Sequence, residues 1–273
     1  MKIHTPPSTN GRKSPKSPDC SDVGSNYAIQ LVLGANRGSK YHQTRKHLTN
    51  PANPLARSVS SLPWIMLNEL LATSRHPPLA SAQSEQFAAY LALLQKWNAK
   101  TNLTAIRDEQ GILSRHFVES ILCASALPVG IQTLLDFGSG AGFPGIPIAL
   151  MRPEIAVTLA ESQNKKAAFL REAVRTLHLT AKVHSARAEE LKQKFDCVTL
   201  RAVDNMPAAI PAAIQLIAPN GWLAVLTTRS EAAGIQLIAN PLSQFHWPEP
   251  IPLQPGTEHV FLLAQREKSQ FNP

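Results

Sequence analysis

The stretch "LLDFGSGAGFPGIPIAL", Leu134 to Leu150, sets Gly138, Gly140, Gly142 and Gly145 close together directly after an apolar run that closes on Asp136. A short apolar run ended by glycines and followed by "GIPIAL" reads as a buried strand, a tight turn and the start of a helix. Glycine tolerates positive φ and lets the backbone approach a ligand closely, so such a turn is a cradle. Outward from it the chain keeps alternating. Strand-like runs lie at "QTLLDFG", "AVTLAES", "KVHSARA", "DCVTLRAV", "GWLAVLTT" and "EHVFLLAQR", with helical runs at "PGIPIALMR", "QNKKAAFLREAVRTLH", "AEELKQK" and "MPAAIPAAIQLI". This alternation predicts an α/β fold, a parallel sheet covered on both faces. The proline-rich "NPLSQFHWPEPIPLQPG" is a loop with one edge strand at most.

Upstream, "EQFAAYLALLQKWNAKTNLT" spaces Phe87, Tyr90, Leu91, Leu94 and Trp97 as one apolar helical face. "RDEQGILSRHFVESILCASAL" does the same with Ile112, Leu113, Phe117, Ile121 and Leu122. A helical N-terminal segment over 63–130 therefore precedes the sheet domain, 131–268. Residues 1–62 are rich in Ser, Pro, Asn, Lys and Arg and have no apolar period, so they are expected to be a disordered basic extension. Its one apolar patch, "YAIQLVLGA", is too short for a membrane span or a signal peptide. A later translation start at Met66 would remove it, and truncation before Leu62 is expected to leave activity intact.

The net charge of +8 belongs to that extension. Nine of the 27 Lys and Arg but only two of the 19 Asp and Glu fall within 1–62, leaving 18 against 17 in the rest. Cys20, Cys123 and Cys197 show no paired spacing, so neither a disulfide framework nor a metal site is suggested, and a reducing cytoplasm fits.

In an open parallel sheet the first βα turn is the usual ligand cradle, and the following helix is expected to lend it N–H donors. Gly140, Gly142 and Gly145 match the G-x-G-x-x-G of nicotinamide dinucleotide sites. Asp136, Gly138, Gly140 and Gly142 match D-x-G-x-G-x-G, the pattern of S-adenosylmethionine methyltransferases. That cofactor lacks a pyrophosphate and carries a cationic amino-acid end, which Asp136 is expected to anchor directly or through water. Glu161, closing "TLAES", is placed to meet ribose hydroxyls in either class. The "ARAEE" turn, with Ala188 and Glu189, follows the third strand where an adenine would lie; Glu189 and Glu190 suit the start of a solvated helix equally.

"KWNAKTNLT", "RHFVES", "LLDFGSGAGFPGIPIAL", "ARAEE" and "LRAV", in this order, resemble the bacterial 16S ribosomal RNA guanine-N7 methyltransferases called RsmG or GidB, over about Trp64 to Arg266. The resemblance implies a Rossmann-like S-adenosylmethionine-dependent fold and a guanine in the decoding-region loop of the small-subunit RNA as target. It implies cofactor contacts at Gly138, Phe143, Ala188 and Glu189, with Arg201 of "LRAV" facing the site. Phe143 suits packing equally, and Arg201 an ion-paired strand end. Two places depart from the family pattern, which has a lysine and a glycine after the fifth strand where this chain reads "VLTTRS" with Thr227, Thr228 and Arg229, and an arginine next to the histidine where here Glu258 precedes His259. Both are expected near the substrate mouth, with Arg229 as a substitute phosphate contact.

Guanine N7 carries a free lone pair, so no catalytic base is assigned. RNA phosphates are expected at Lys96, Lys100, Arg107, Arg115 and His116, each of which also suits an ordinary surface or structural role. The partners implied are 16S rRNA or the small subunit, with no membrane and no metal, for a protein acting as a monomer. The alternatives are methyl transfer to another RNA or a small molecule, a nicotinamide-dependent reductase, and an inactive RNA-binding protein.

Overall fold

The first helix, α1, runs over Pro54–Thr73 and so crosses the expected boundary at residue 62. The structure, a computed structural model, describes residues 54–267, with side chains from residue 63 onward; most of the expected extension, Cys20 included, lies outside the described residues. α2, Ser81–Thr101, ends at Asn102, whose φ of 47° turns the chain out of the helix. α3 spans 109–126 as three continuous stretches: an α-turn Glu109–Gly111, a π-helical stretch Ile112–Val118, and an α-helix Glu119–Ala126. The Asp108 side chain caps it by accepting the Gly111 N–H at 2.6 Å.

The alternating part follows in order: β1 Thr133–Phe137, α4 Gly145–Met151, β2 Ala156–Ala160, α5 Asn164–Thr176, β3 Lys182–His184, β4 Phe195–Arg201, α6 Met206–Gln215, β5 Ile217–Thr228 and α7 Arg229–Ala239. The short β6 Phe245–His246 and β7 Ile251–Pro252 both pair with β8 His259–Arg266. Neighbours in the sheet run β3-β2-β1-β4-β5-β8-β6. β1 to β5 are parallel, and β8 is antiparallel to β5. The order turns back between β1 and β4, which is where ligands bind in open α/β sheets.

All six expected strands are present. The helix expected over "AEELKQK" shrinks to a single 3-10 turn, Ala188–Glu190, because Leu191 is the only large apolar side chain among Lys192, Gln193 and Lys194 and leaves no face to bury. α1 and α7 were not foreseen.

Strand alternation sends Leu134, Val157, Leu159, Cys197 and Leu226 to one face, into a core shared with Leu67, Phe87, Tyr90 and Phe117 of the N-terminal helices. Leu135, Phe137, Val198, Leu200 and Val225 face the other way, against α6 and α7. Cys123 and Cys197 are free and buried. No described helix is long and apolar enough to cross a membrane, and among the described residues no three His, Cys, Asp or Glu gather as a metal site.

Candidate active site

The turn after β1 is shaped from beneath. Pairing of Asp136 with Thr199 on β4 and with Leu159 on β2 fixes its neighbours. Asp136 Oδ1 accepts the Thr199 hydroxyl at 2.9 Å and Oδ2 accepts the Gly145 N–H at 3.1 Å. The residue is 1% exposed, and its carboxylate holds the turn. Burial pushes its pKa up to about 6, opposed by the Thr199 hydrogen bond. The expected helix donors are corrected, since α4 has seven residues and spends its first N–H on Asp136 and its second on the Gly142 carbonyl, at 2.8 Å.

Glycine is required here for two different reasons. A Cβ on Gly145 would lie 2.4 Å from Leu159 Cδ2 and 2.6 Å from Asp136 Oδ2, so this glycine lets the helix close on the sheet. A Cβ on Gly140, with φ of 57°, would meet nothing nearer than the Gly138 carbonyl at 3.9 Å. Open space therefore stands over Gly140, and Gly138 beside it is exposed. Glu161 closes β2 with Oε2 accepting the Gly140 N–H at 2.9 Å and Oε1 accepting the Gln163 N–H at 2.7 Å. Each oxygen keeps a lone pair for a ligand hydroxyl. Ala188 is buried in the 3-10 turn after β3 and Glu189 is exposed on it.

The N-terminal helices clamp the later part of the turn, at Ala141 and Phe143. Tyr90 of α2 donates its hydroxyl to the Ala141 carbonyl at 2.6 Å. The Phe143 ring lies 5.2 Å from Tyr90, 5.5 Å from Phe117 and stacked 4.8 Å from His116. That ring is committed to packing. His116 Nε2 is 2.7 Å from Thr104 Oγ1, and burial, reinforced by Arg201 and Arg115, depresses its pKa to about 3. His116 is half-buried as a neutral imidazole stacked on Phe143. Arg107 is held by the Asn98 carbonyl at 3.1 Å and Asn102 Oδ1 at 2.6 Å, while Lys96 and Lys100 are exposed.

Arg201 ends β4 on the same sheet face as Asp136 and Thr199. Its guanidinium donates to Glu119 Oε2 at 2.7 Å, to Ser120 Oγ at 3.2 Å and to the Arg115 carbonyl. Glu119 Oε1 lies 3.2 Å from Arg115 Nε and 2.8 Å from His259 Nδ1. Burial works against the charge of Arg201 and Glu119 offsets it. Sequence reading missed Glu119 as this hub, although "RHFVES" contains it. Ala202 follows at φ 46°, a conformation costly for a side-chain-bearing residue.

Across β4 from the glycine turn lies a cavity of about 480 Å³ whose wall includes Arg115, Glu119, Arg201, Thr227, Thr228 and His259. Its size is ordinary for a small-molecule site. Thr227 and Thr228, among the departures from the family pattern, line this cavity. Glu258 and Arg229 are exposed, their backbones joined by a 2.8 Å hydrogen bond.

A sheet that reverses between β1 and β4, an open glycine turn off β1 and an acid closing β2 define the S-adenosylmethionine-dependent methyltransferase class; the first helix N–H, which a dinucleotide site would offer to pyrophosphate, is already occupied. Within that class the chain belongs to the GidB family, rRNA small subunit methyltransferase G, whose model matches residues 83–240. Over 135 residues it is 47% identical to ribosomal RNA small subunit methyltransferase G of Roseiflexus sp. (strain RS-1), covering 47% of this chain and 58% of that protein. Over 148 residues it is 43% identical to the protein of that name from Xanthomonas euvesicatoria pv. vesicatoria (strain 85-10), covering 53% and 69%. The chain thus spans a little over half the length of the first of these. Among solved structures, ribosomal protein L11 methylase from Lactobacillus delbrueckii subsp. bulgaricus superposes with a TM-score of 0.48 at 13% identity, over 56% of this chain and 79% of that one.

Proposed function

We propose that this chain methylates N7 of a guanine in 16S ribosomal RNA, with S-adenosyl-L-methionine as donor. The observation that carries the reading is the adjacency, at the carboxyl ends of β1, β4 and β5, of an open glycine turn and a cavity with room for a nucleobase, separated by the end of β4. Gly138 and Gly140 would receive the amino-acid end of the cofactor, Glu161 its ribose, and Ala188 and Glu189 its adenine. Asp136 acts from below by fixing the turn, Phe143 through its backbone, and Arg201 at the divide between cofactor and acceptor.

When bound, the cofactor supplies a sulfonium methyl whose C–S bond breaks as the N7 lone pair forms the new N–C bond, and no proton moves. The residues therefore need to align, not to titrate. Alignment of this kind can be worth about 7–11 kcal/mol of barrier in favourable intramolecular cases. Excluding water and matching the positive charge that develops on the purine are the remaining tasks. In A-form RNA the N7 edge lies in a groove too narrow for side chains, so the guanine must come from a loop or leave its stack. The enzyme acts in the cytoplasm beside its RNA, and as a monomer, since β1 and β4 of one chain supply both sides of the transfer line.

Mapping N7-methylguanine in small-subunit RNA from cells with and without the protein tests the reading. Loss of one methylated guanine is expected. Unchanged methylation, or tight calorimetric binding of NADH without binding of S-adenosylmethionine, would remove it.

A further inference from the structure

We propose that the cavity beyond β4 seats the target guanine and that Glu231 reads its N1–H and 2-amino group; this rests on the guanine-methylation reading above. Two carboxylates line the cavity. Glu119 is 2% exposed, its Oε2 held by Arg201, while its Oε1 lies 3.2 Å from Arg115 Nε and 2.8 Å from His259 Nδ1 without a hydrogen bond from either, deep beneath the cavity's surface. Glu231 differs. Its Oε2 takes the Thr227 hydroxyl at 2.6 Å and the Thr228 N–H at 3.4 Å, whereas Oε1 has no hydrogen-bond partner among the described residues. The carboxylate is thus held in place at the rim with one oxygen fully free and lone-pair capacity left on the other.

The rest of the wall suits a purine. Met206, Ile235, Ile238 and Leu253 give the cavity apolar wall against which a flat ring can pack. Only an acceptor pair such as a carboxylate satisfies the two parallel donors on the Watson–Crick edge of guanine. Adenine presents an acceptor at N1, and its lone pair would meet Oε1 with repulsion. With that edge held by Glu231, N7 on the opposite side of the purine is left free to face the glycine turn. A negative group on the N1–H also matches the positive charge the purine gains as N7 is methylated.

The bland role of Glu231 is to cap α7, since it sits at the third helical position and reaches back to Thr228. Glutamine there keeps that cap, because its carbonyl can accept from Thr227 and Thr228, but it turns an NH2 group toward the base. The test measures kcat/KM of the full chain on reconstituted small subunits whose RNA carries guanosine or inosine at the methylated position. Inosine keeps N7 and N1–H and lacks the 2-amino group. The wild-type protein should prefer guanosine by about tenfold, and Glu231→Gln should bring that preference close to one while binding S-adenosylmethionine as before. A wild-type preference near one, an unchanged preference in Glu231→Gln, or an equal loss on both substrates would overturn the assignment. Failure of the wild-type protein to methylate the guanosine subunits would overturn the function itself, and the assignment with it.

Discussion

Asp136 and Glu231 stand on either side of the β1–β4 divide and are opposite kinds of acid. Asp136 is buried, both oxygens spent on its own backbone turn and on Thr199, and its pKa is raised by burial. Glu231 is exposed, pinned through one oxygen, and held below the usual carboxylate range by the Thr227 and Thr228 hydrogen bonds. The first is an investment in shape and the second retains capacity to bind. In the region that matches the family pattern the turn is fixed by Asp136 and open only over Gly138 and Gly140; the region that departs from it, around Thr227 and Thr228, is exposed at Glu231 and Arg229. Substitutions at Asp136 should be felt as folding, those over Gly140 as cofactor binding, and those at Glu231 as substrate choice.

The largest effect should come at the point where the two regions join. Glu119→Ala strands the Arg201 guanidinium without its carboxylate inside the protein, and breaking a buried ion pair on one side costs about 3–5 kcal/mol. Denaturant midpoints measure it. A loss below about 1 kcal/mol would mean that Arg201 finds water instead, and that the divide between the two regions is wetter than its 10% side-chain exposure implies.

Asp136 should make stability depend on pH in an unusual direction. Its pKa is raised from 3.8 to about 6 on folding. Below about pH 4 both states hold the proton; between pH 4 and 6 only the folded state holds it, so stability falls as pH rises, by about 3 kcal/mol in all. Other carboxylates titrate in the same window, so the readout is the difference between wild type and Asp136→Asn at pH 4, 5, 6 and 7. That difference should move steadily in favour of the asparagine variant as pH rises. A flat difference would show that Asp136 ionises at its ordinary pKa and that the turn is solvated.

What the sequence revealed follows the same division. The glycine turn, Asp136 and Glu161 were legible because their spacing along the chain is the spacing of the turn itself. The six strands were legible because burial on both faces leaves continuous apolar runs. Glu119 was not, since its partner Arg201 lies 82 positions away and a long-range ion pair leaves no local period. The burial of His116 against Phe143 was hidden for the same reason. α7 was passed over because Gly234 and its polar neighbours dilute the apolar face, and the turn at Ala188 was overread as a helix because acidic residues favour helix starts without guaranteeing a helix.

Gly145→Ala and Gly140→Ala separate packing from binding within the glycine turn. At Gly145 the new methyl would have to displace Leu159 and the Asp136 carboxylate, an overpacking cost of about 1–3 kcal/mol that should appear in the unfolding midpoint.

At Gly140 the methyl enters open space, and the only folding cost is the left-handed backbone, about 1 kcal/mol. The same methyl occupies the volume over the turn that the donor requires, so the affinity for S-adenosylmethionine measured by calorimetry should fall at least tenfold, equivalent to about 1.4 kcal/mol. The two alanines thus invert each other: one unfolds the turn from beneath, the other leaves it standing and closes it from above. Should Gly140→Ala bind the donor as tightly as wild type while remaining folded, the space over Gly140 is not where the cofactor lies. The cavity beyond β4, about 480 Å³, would then be the place to look for the donor.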